Sequence, residues 1–297
     1  MTRETGLATG LVGLAAGLLV GWAVGPAGFG LVTYHVSRAV ESQTVAVDLV
    51  GLLVVAPMLM LLARAAAHGG RATGLAVAPA AYTAYMGAQA LVGQAYLDRP
   101  GTGQRLAPLE LALVGGGLVV AVAAWASRDR TAGPGWSQRR TIAATWALLG
   151  LAVFVVLGRW APSLADAMRD RPTGSAYRSA PEMFWVLALL DLGVVTPALL
   201  AAATGIRRRR TWARDLFPIL ALWFALVGVS VLAMAATMLA RGDRGSSAGG
   251  VMVLALAAGA FVALAWWAAR PLLVPDAAGD GSVTSRAPAD RMEHARD

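Results

Sequence analysis

Hydrophobic residues fall along this chain in eight long runs separated by short polar stretches. The runs are Gly6–Val24, Val45–Ala63, Ala72–Gly93, Ala107–Ala126, Thr141–Gly158, Phe184–Gly205, Leu216–Ala240 and Gly249–Ala269. A hydrocarbon core about 30 Å thick needs roughly 20 apolar residues in a helix that rises about 1.5 Å per residue. Backbone N–H and C=O groups find no water partners in lipid, so each run predicts a transmembrane helix. The expected fold is all-α: a polytopic membrane protein with eight transmembrane helices. The first run could be mistaken for a secretory signal. It is longer than an ordinary signal core, MTRET before it is barely basic, and Pro26 stands where cleavage would fall, so it reads as span 1.

The pattern also suggests a duplication. Span 2 reads VAVDLVGLLVVAPMLMLLAR and span 6 reads LALLDLGVVTPALLAAATGIR. Each carries an Asp-Leu pair, then a proline, then a closing arginine. Asp48 precedes Arg64 by 16 residues, and Asp191 precedes Arg207 by 16. Two parallel four-helix halves follow, residues 1–127 and 141–270, joined by a cytoplasmic linker at 128–140 and followed by a polar, disordered tail at 271–297. Pro57 and Pro197 are expected to break their spans. Of the polar stretches, Leu31–Glu41 predicts an interfacial amphipathic helix. Ser163–Arg171 predicts a helix capped by Ser163.

Composition narrows the chemistry. The chain is 57% hydrophobic with a net charge of +8, and its 25 basic residues are all arginine. They punctuate the spans rather than form one basic patch, which argues against nucleic acid and for the lipid bilayer as the partner. With no lysine and no cysteine, Schiff-base cofactors, disulfides, thiolate metal sites and Fe–S clusters are excluded. His35, His68 and His294 have no metal-ligand spacing, so no cofactor and no metal is expected. No nucleophile-elbow, phosphate-loop, zincin or aspartate-rich prenyl-diphosphate motif is present.

Arginine placement sets the threading. With the N-terminus in the cytoplasm, inner segments carry 16 arginines, including Arg64, Arg71, Arg128 and Arg207–Arg210, and outer loops carry 9. Both termini are then cytoplasmic, in a cell membrane. The run Arg207–Arg210 reads most simply as a stop-transfer anchor, with an anionic lipid headgroup as its other reading. Gly10, Gly13, Gly17 and Gly21 share one face of span 1, a packing stripe for a neighbouring helix of the same chain, a partner helix or a second copy. Trp160, Trp185, Trp266 and Trp267 read as interfacial belts.

Three acids lie within the spans: Asp48, Glu110 and Asp191. Their spacing from inner arginines puts them about 24–27 Å away at about 1.5 Å per residue, in the outer leaflet. Each could merely sit near the start of its own helix, where the dipole favours a carboxylate by about 0.3–1 kcal/mol. That suffices for Glu110, and for Asp48 if its helix begins near Val45. It fits Asp191 worst, because apolar FWVLALL precedes it. Span 3 brings Tyr82, Tyr85 and Gln89 to the same level. The candidate ligand- or proton-binding residues are therefore Asp191, Asp48, Glu110, Tyr85 and Gln89, with Asp191 foremost.

DLVGLLVVAPMLMLLAR, YTAYMGAQALVG, LLDLGVVTPALL and RRRRTWARDLFPILALWFALVGVSVLAMAATM, within residues 31–240, resemble a bacterial family of eight-span membrane proteins with two Asp-Leu spans. Val47 replaces the polar residue that this pattern expects before Asp48, and the loop after span 3 is shorter and more polar. The resemblance implies the topology and no activity. The residues point first to a transporter, channel or solute-binding membrane protein with an outward acidic site. The alternatives are a membrane enzyme acting on a lipid or isoprenoid, with Asp191 or Asp48 as general acid, and a non-catalytic subunit or assembly factor. An Asp191→Asn variant is expected to insert and melt normally while losing activity.

The threading makes a direct prediction. Cytoplasmic reporters fused after Arg71, Arg140 and Arg214 should be active, and periplasmic reporters there silent. A periplasmic signal after Arg210 would overturn the topology.

Overall fold

A computed structural model describes residues 3–128, 136–243 and 246–273. Eight of its helices are long and apolar enough to cross a membrane. They are α1 (Glu4–Val24), α2 (Arg38–Ala67), α3 (Ala72–Val92), α4 (Gly103–Ser127), α5 (Gln138–Ala167), α6 (Pro181–Arg207), α7 (Thr211–Ala240) and α8 (Ala248–Leu273). No strand occurs among the described residues. The described residues form an all-α fold with eight helices fit to span a membrane, that of a polytopic protein. Most of the expected linker, and the tail beyond Leu273 with its expected disorder, lie outside the described residues.

Connections alternate between two ends. The α1–α2, α3–α4, α5–α6 and α7–α8 connections share what we call the acidic end; the others share the arginine end. At the acidic end the first two connections are tied together by His35. Its backbone N–H donates to Gln94 Oε1 (2.9 Å), its carbonyl accepts from the Ala95 N–H (2.9 Å), and Nδ1 donates to the Arg99 carbonyl (2.7 Å). A Cβ on Gly101 would come within 2.9 Å of that imidazole, so glycine is required for the close approach. The expected amphipathic helix over Leu31–Glu41 is not formed. Its first half is this pinned loop, in which Val32, Tyr34 and His35 are buried. The helix begins at Arg38, capped by Ser37, and runs directly into span 2. The expected separate helix at Ser163–Arg171 is also absent. Helix α5 continues unbroken through Ala167, and Ser163 donates back to the Arg159 carbonyl instead of capping.

Helices α3 and α7 sit at the centre and pack on each other. Around them α1 packs on α2, α5 on α6, α3 on α4 and α7 on α8, while α7 also meets α2 and α3 meets α6. Small residues permit the tightest of these contacts. On α4, a Cβ at Gly117 would lie 2.7 Å from the Ala80 carbonyl oxygen and 3.0 Å from the Ala84 nitrogen of α3. The glycines of α1 serve the chain itself: Gly10 faces Val120, and Gly17 and Gly21 face Leu113 and Leu109, all on α4, while Gly13 faces open space. At the arginine end, Arg128 stacks 3.5 Å from the Trp125 ring and pairs with Asp215 (3.1 Å).

Pro57 and Pro197 do not break their spans. Each follows a widened, π-type turn, at Gly51–Val55 and Asp191–Val195, and Pro162 likewise follows one at Phe154–Trp160. A helical proline lacks an N–H and its ring crowds the carbonyl four residues back. Those carbonyls, of Leu53, Gly158 and Gly193, all lie inside the widened turns. The extra residue in the turn moves the carbonyl aside and keeps the helix continuous, with Ala56 and Thr196 N–H groups bonding to Gly51 and Asp191.

These turns also correct the register of the sequence likeness. Gly51 matches Asp191, Pro57 matches Pro197, and the left-handed residues ending the two helices, Gly69 and Arg209, match as well, a constant shift of 140 residues. Asp48 then corresponds to Ala188, about one helical turn earlier, and the two aspartates are not equivalent.

Crowding at α3–α4 gives a paired prediction. Gly117→Val should lower stability by about 1–3 kcal/mol through overpacking. Gly115→Val, which faces open space, should melt like the parent protein in detergent. Equal melting of the two variants would contradict this packing.

Candidate functional site

A cavity of about 670 Å³ runs among the helices, and all eight contribute to its wall. Asp48, Glu110, Asp191, Tyr85 and Gln89 all line it. The five residues are far apart in sequence and belong to α2, α3, α4 and α6. The fold gathers them around one space, with very different surroundings for each acid.

Asp191 is the most fully satisfied. Tyr85 donates its hydroxyl to Oδ1 (2.8 Å), and Trp160 Nε1–H (2.9 Å) and Arg159 Nε–H (3.3 Å) donate to Oδ2. Only 8% of the Asp191 side chain is exposed against 46% of Arg159, so the pair reaches from the wall toward the open space. Two widened turns face each other here: Asp191 opens one and Arg159 and Trp160 close the other. Both are set by the prolines that follow them. Trp160 is only 2% exposed, so it is not part of an interfacial belt; its indole N–H is committed to the buried carboxylate. Trp185 and Trp266, by contrast, are exposed.

Asp48 lies eleven positions into a helix that starts at Arg38, so capping by its own helix does not explain it. Its polar partner is the Tyr34 hydroxyl, at a long 3.4 Å. Tyr34 comes from the pinned α1–α2 loop and is buried. Burial, then the charges of Asp48 and Glu110, hold its hydroxyl well above the usual tyrosine range, so it stays protonated and donates to Asp48. Glu110 falls in the first α-turn of its helix, as the sequence predicts. Yet it accepts no hydrogen bond from a free backbone N–H there, or from any other group among the described residues. It is 8% exposed.

Tyr82, at the centre, shares a 2.6 Å hydrogen bond with Ser230 of α7 across the molecule. Gln89 donates to Met86 Sδ at 3.6 Å and is not among the hydrogen-bond donors to the Asp191 carboxylate. No three His, Cys, Asp or Glu side chains converge as metal ligands among the described residues. Two contributors were not legible as such in the sequence. Arg159 and Trp160 end an apolar run, where the pair reads as a boundary marker; only the proline two residues on hints at a distorted turn.

The geometry changes the expectation for Asp191→Asn. The carboxylate organises three donors from α3 and α5. Hydrogen bonds to a charged group contribute about 1.5–3 kcal/mol each in buried settings, less here because Arg159 is half exposed. Asp191→Asn should therefore lower the melting temperature measurably, and Tyr85→Phe should do so to a smaller degree. An Asp191→Asn protein that melts like the parent would show that the cluster is not holding α6 to α3 and α5.

Protein-family profiles, characterised proteins and solved structures were compared with the chain, and none matches.

Proposed function

We propose that this protein is a transporter, channel or solute-binding protein that admits a solute to the cavity at its acidic end. The reading places it in a cytoplasmic membrane with both termini inside and the acidic end outward. One observation carries it: the two buried acids of the spans, Glu110 and Asp191, and the half-buried Asp48 line the same cavity. Charged side chains in lipid are costly and normally face a bundle interior or a solute path. A solid bundle with each carboxylate capping its own helix would have favoured a structural subunit. Asp48 and Asp191 cap nothing, and Glu110 forms no capping bond.

Asp191 has a positioning role in this reading. Its cluster with Arg159, Trp160 and Tyr85 joins α6 to α3 and α5 beside the cavity. The Tyr82–Ser230 bond joins the two central helices. Both are polar contacts whose exchange would let the helices around the cavity move relative to one another.

The chain has no cysteine, so single cysteines can report on the cavity directly. A thiol reacts as its thiolate and therefore needs water. Val47→Cys and Met234→Cys, in the cavity wall, should react with a hydrophilic maleimide added to purified protein. Leu53→Cys and Leu189→Cys, on exposed outer helix faces, should stay unlabelled in a lipid nanodisc. The loop variant Leu97→Cys, 98% exposed, is the positive control. Cavity cysteines as inert as the lipid-facing ones would mean a dry interior and would overturn the reading.

A further inference from the structure

Glu110 and Asp48 are close enough to interact electrostatically and form an acidic lobe of the cavity, with no basic side chain in it among the described residues. Among the described residues Arg159 is the only basic residue in the cavity wall, and it is committed to Asp191. Glu110, more than nine-tenths buried, lines the cavity without a single donor among the described residues. Trp22 Nε1, of another residue in the cavity wall, is buried and has no acceptor among the described residues. Buried polar groups are normally paired. Here Glu110 faces the cavity without a donor, which marks a place for something from outside the chain.

We propose that the lobe binds an apolar organic cation, with Glu110 and Asp48 as the charge-recognising residues. This rests on the solute-binding reading above and specifies its ligand class. Two carboxyl groups, once ionised, attract a positive partner and repel a negative one. A hard metal ion is a poor fit, because calcium takes about 6–8 oxygen ligands and this lobe offers two carboxyls and the Tyr34 hydroxyl. The remainder of the cavity wall is aromatic and thioether-rich, with Trp223, Phe224, Phe261, Met183 and Met234 among its residues. Aromatic faces attract weakly hydrated cations, and methionine adapts its shape to irregular apolar groups. At about 670 Å³ the cavity is of the size that holds small organic ligands, about 300–1,000 Å³. An anion would meet two carboxyls and no free basic group in the wall.

The test uses two probes of the same size and apolar surface but opposite charge, tetraphenylphosphonium and tetraphenylborate, with the purified full chain in equilibrium binding. Saturable binding of tetraphenylphosphonium is expected, with tetraphenylborate at background. Glu110→Gln and Asp48→Asn should each weaken the cation at least tenfold. Asp98→Asn, which removes an exposed acid of the same end, should change it less than twofold. Because Glu110 makes no hydrogen bond, Glu110→Gln should melt at or above the parent temperature, so lost binding cannot be blamed on unfolding. Saturable tetraphenylborate binding in place of the cation overturns the ligand class and leaves the solute-binding reading standing. So does cation binding that survives both substitutions. Failure of either probe to bind also overturns the proposal; if the cavity cysteines then prove inert as well, the solute-binding reading falls with it.

Discussion

In a hydrocarbon medium no backbone group can be left without a partner, and prolines inside spans violate that rule locally. This constraint organises the interior of the protein. At Pro57, Pro162 and Pro197 the helix answers by widening the preceding turn, which keeps the span continuous and re-aims the side chains within it. Two of the three widened turns carry Asp191, Arg159 and Trp160. The buried ion pair is thus a consequence of how two proline-containing helices preserve their backbone hydrogen bonds. Thr196 reinforces one of them: its backbone N–H and its hydroxyl both reach the Asp191 carbonyl.

The three intramembrane acids divide by what surrounds them. Asp191 is held by three donors from two helices, and its charge is matched by a half-exposed arginine. It resembles a structural joint that borders the cavity. Asp48 has one long hydrogen bond, and Glu110 has none. A carboxyl in an apolar surrounding without a donor is costly unless something else completes it. The least committed acids are therefore the ones best suited to meet a solute, and the acid embedded in the most apolar sequence is the best satisfied. Depth in an apolar run measures the cost of a charge, not whether neighbouring helices have already met that cost.

Close packing and loop pinning hold this arrangement in place. Gly117 lets α4 approach the backbone of α3, and the α1 glycines let α1 lie on α4, so the wall that carries Glu110 is closely packed on both sides. At the acidic end, His35 binds the α1–α2 loop to the α3–α4 loop and so positions Tyr34 over Asp48. Arg38 of α2 reaches Asp243 of the α7–α8 connection (3.9 Å) across the same end. The acidic lobe is bounded by these fixed elements.

The class of the molecule is legible in the chain alone. Eight apolar runs of bilayer length dictate eight helices, because run length and backbone satisfaction are local properties that need no knowledge of neighbours. The same local reasoning put Asp48, Glu110, Asp191, Tyr85 and Gln89 in one layer, since rise per residue converts spacing into depth. It failed where the answer depended on contacts between helices. The Asp-Leu pairs suggested equivalent aspartates, but the widened turns set the register at Gly51 and Asp191, because proline geometry rather than residue identity fixes the helix phase. Trp160 had the signature of an interfacial residue until the fold of α5 turned its indole toward Asp191. Leu31–Glu41 has the periodicity of a surface helix, yet His35 finds three partners in a distant loop, Gln94, Ala95 and Arg99, which tie down its first half as irregular chain. Which carboxyl is paired and which is free depends on helix packing, because a hydrogen-bond donor such as Arg159, Tyr85 or Tyr34 is supplied by another segment, and sequence spacing carries no record of it.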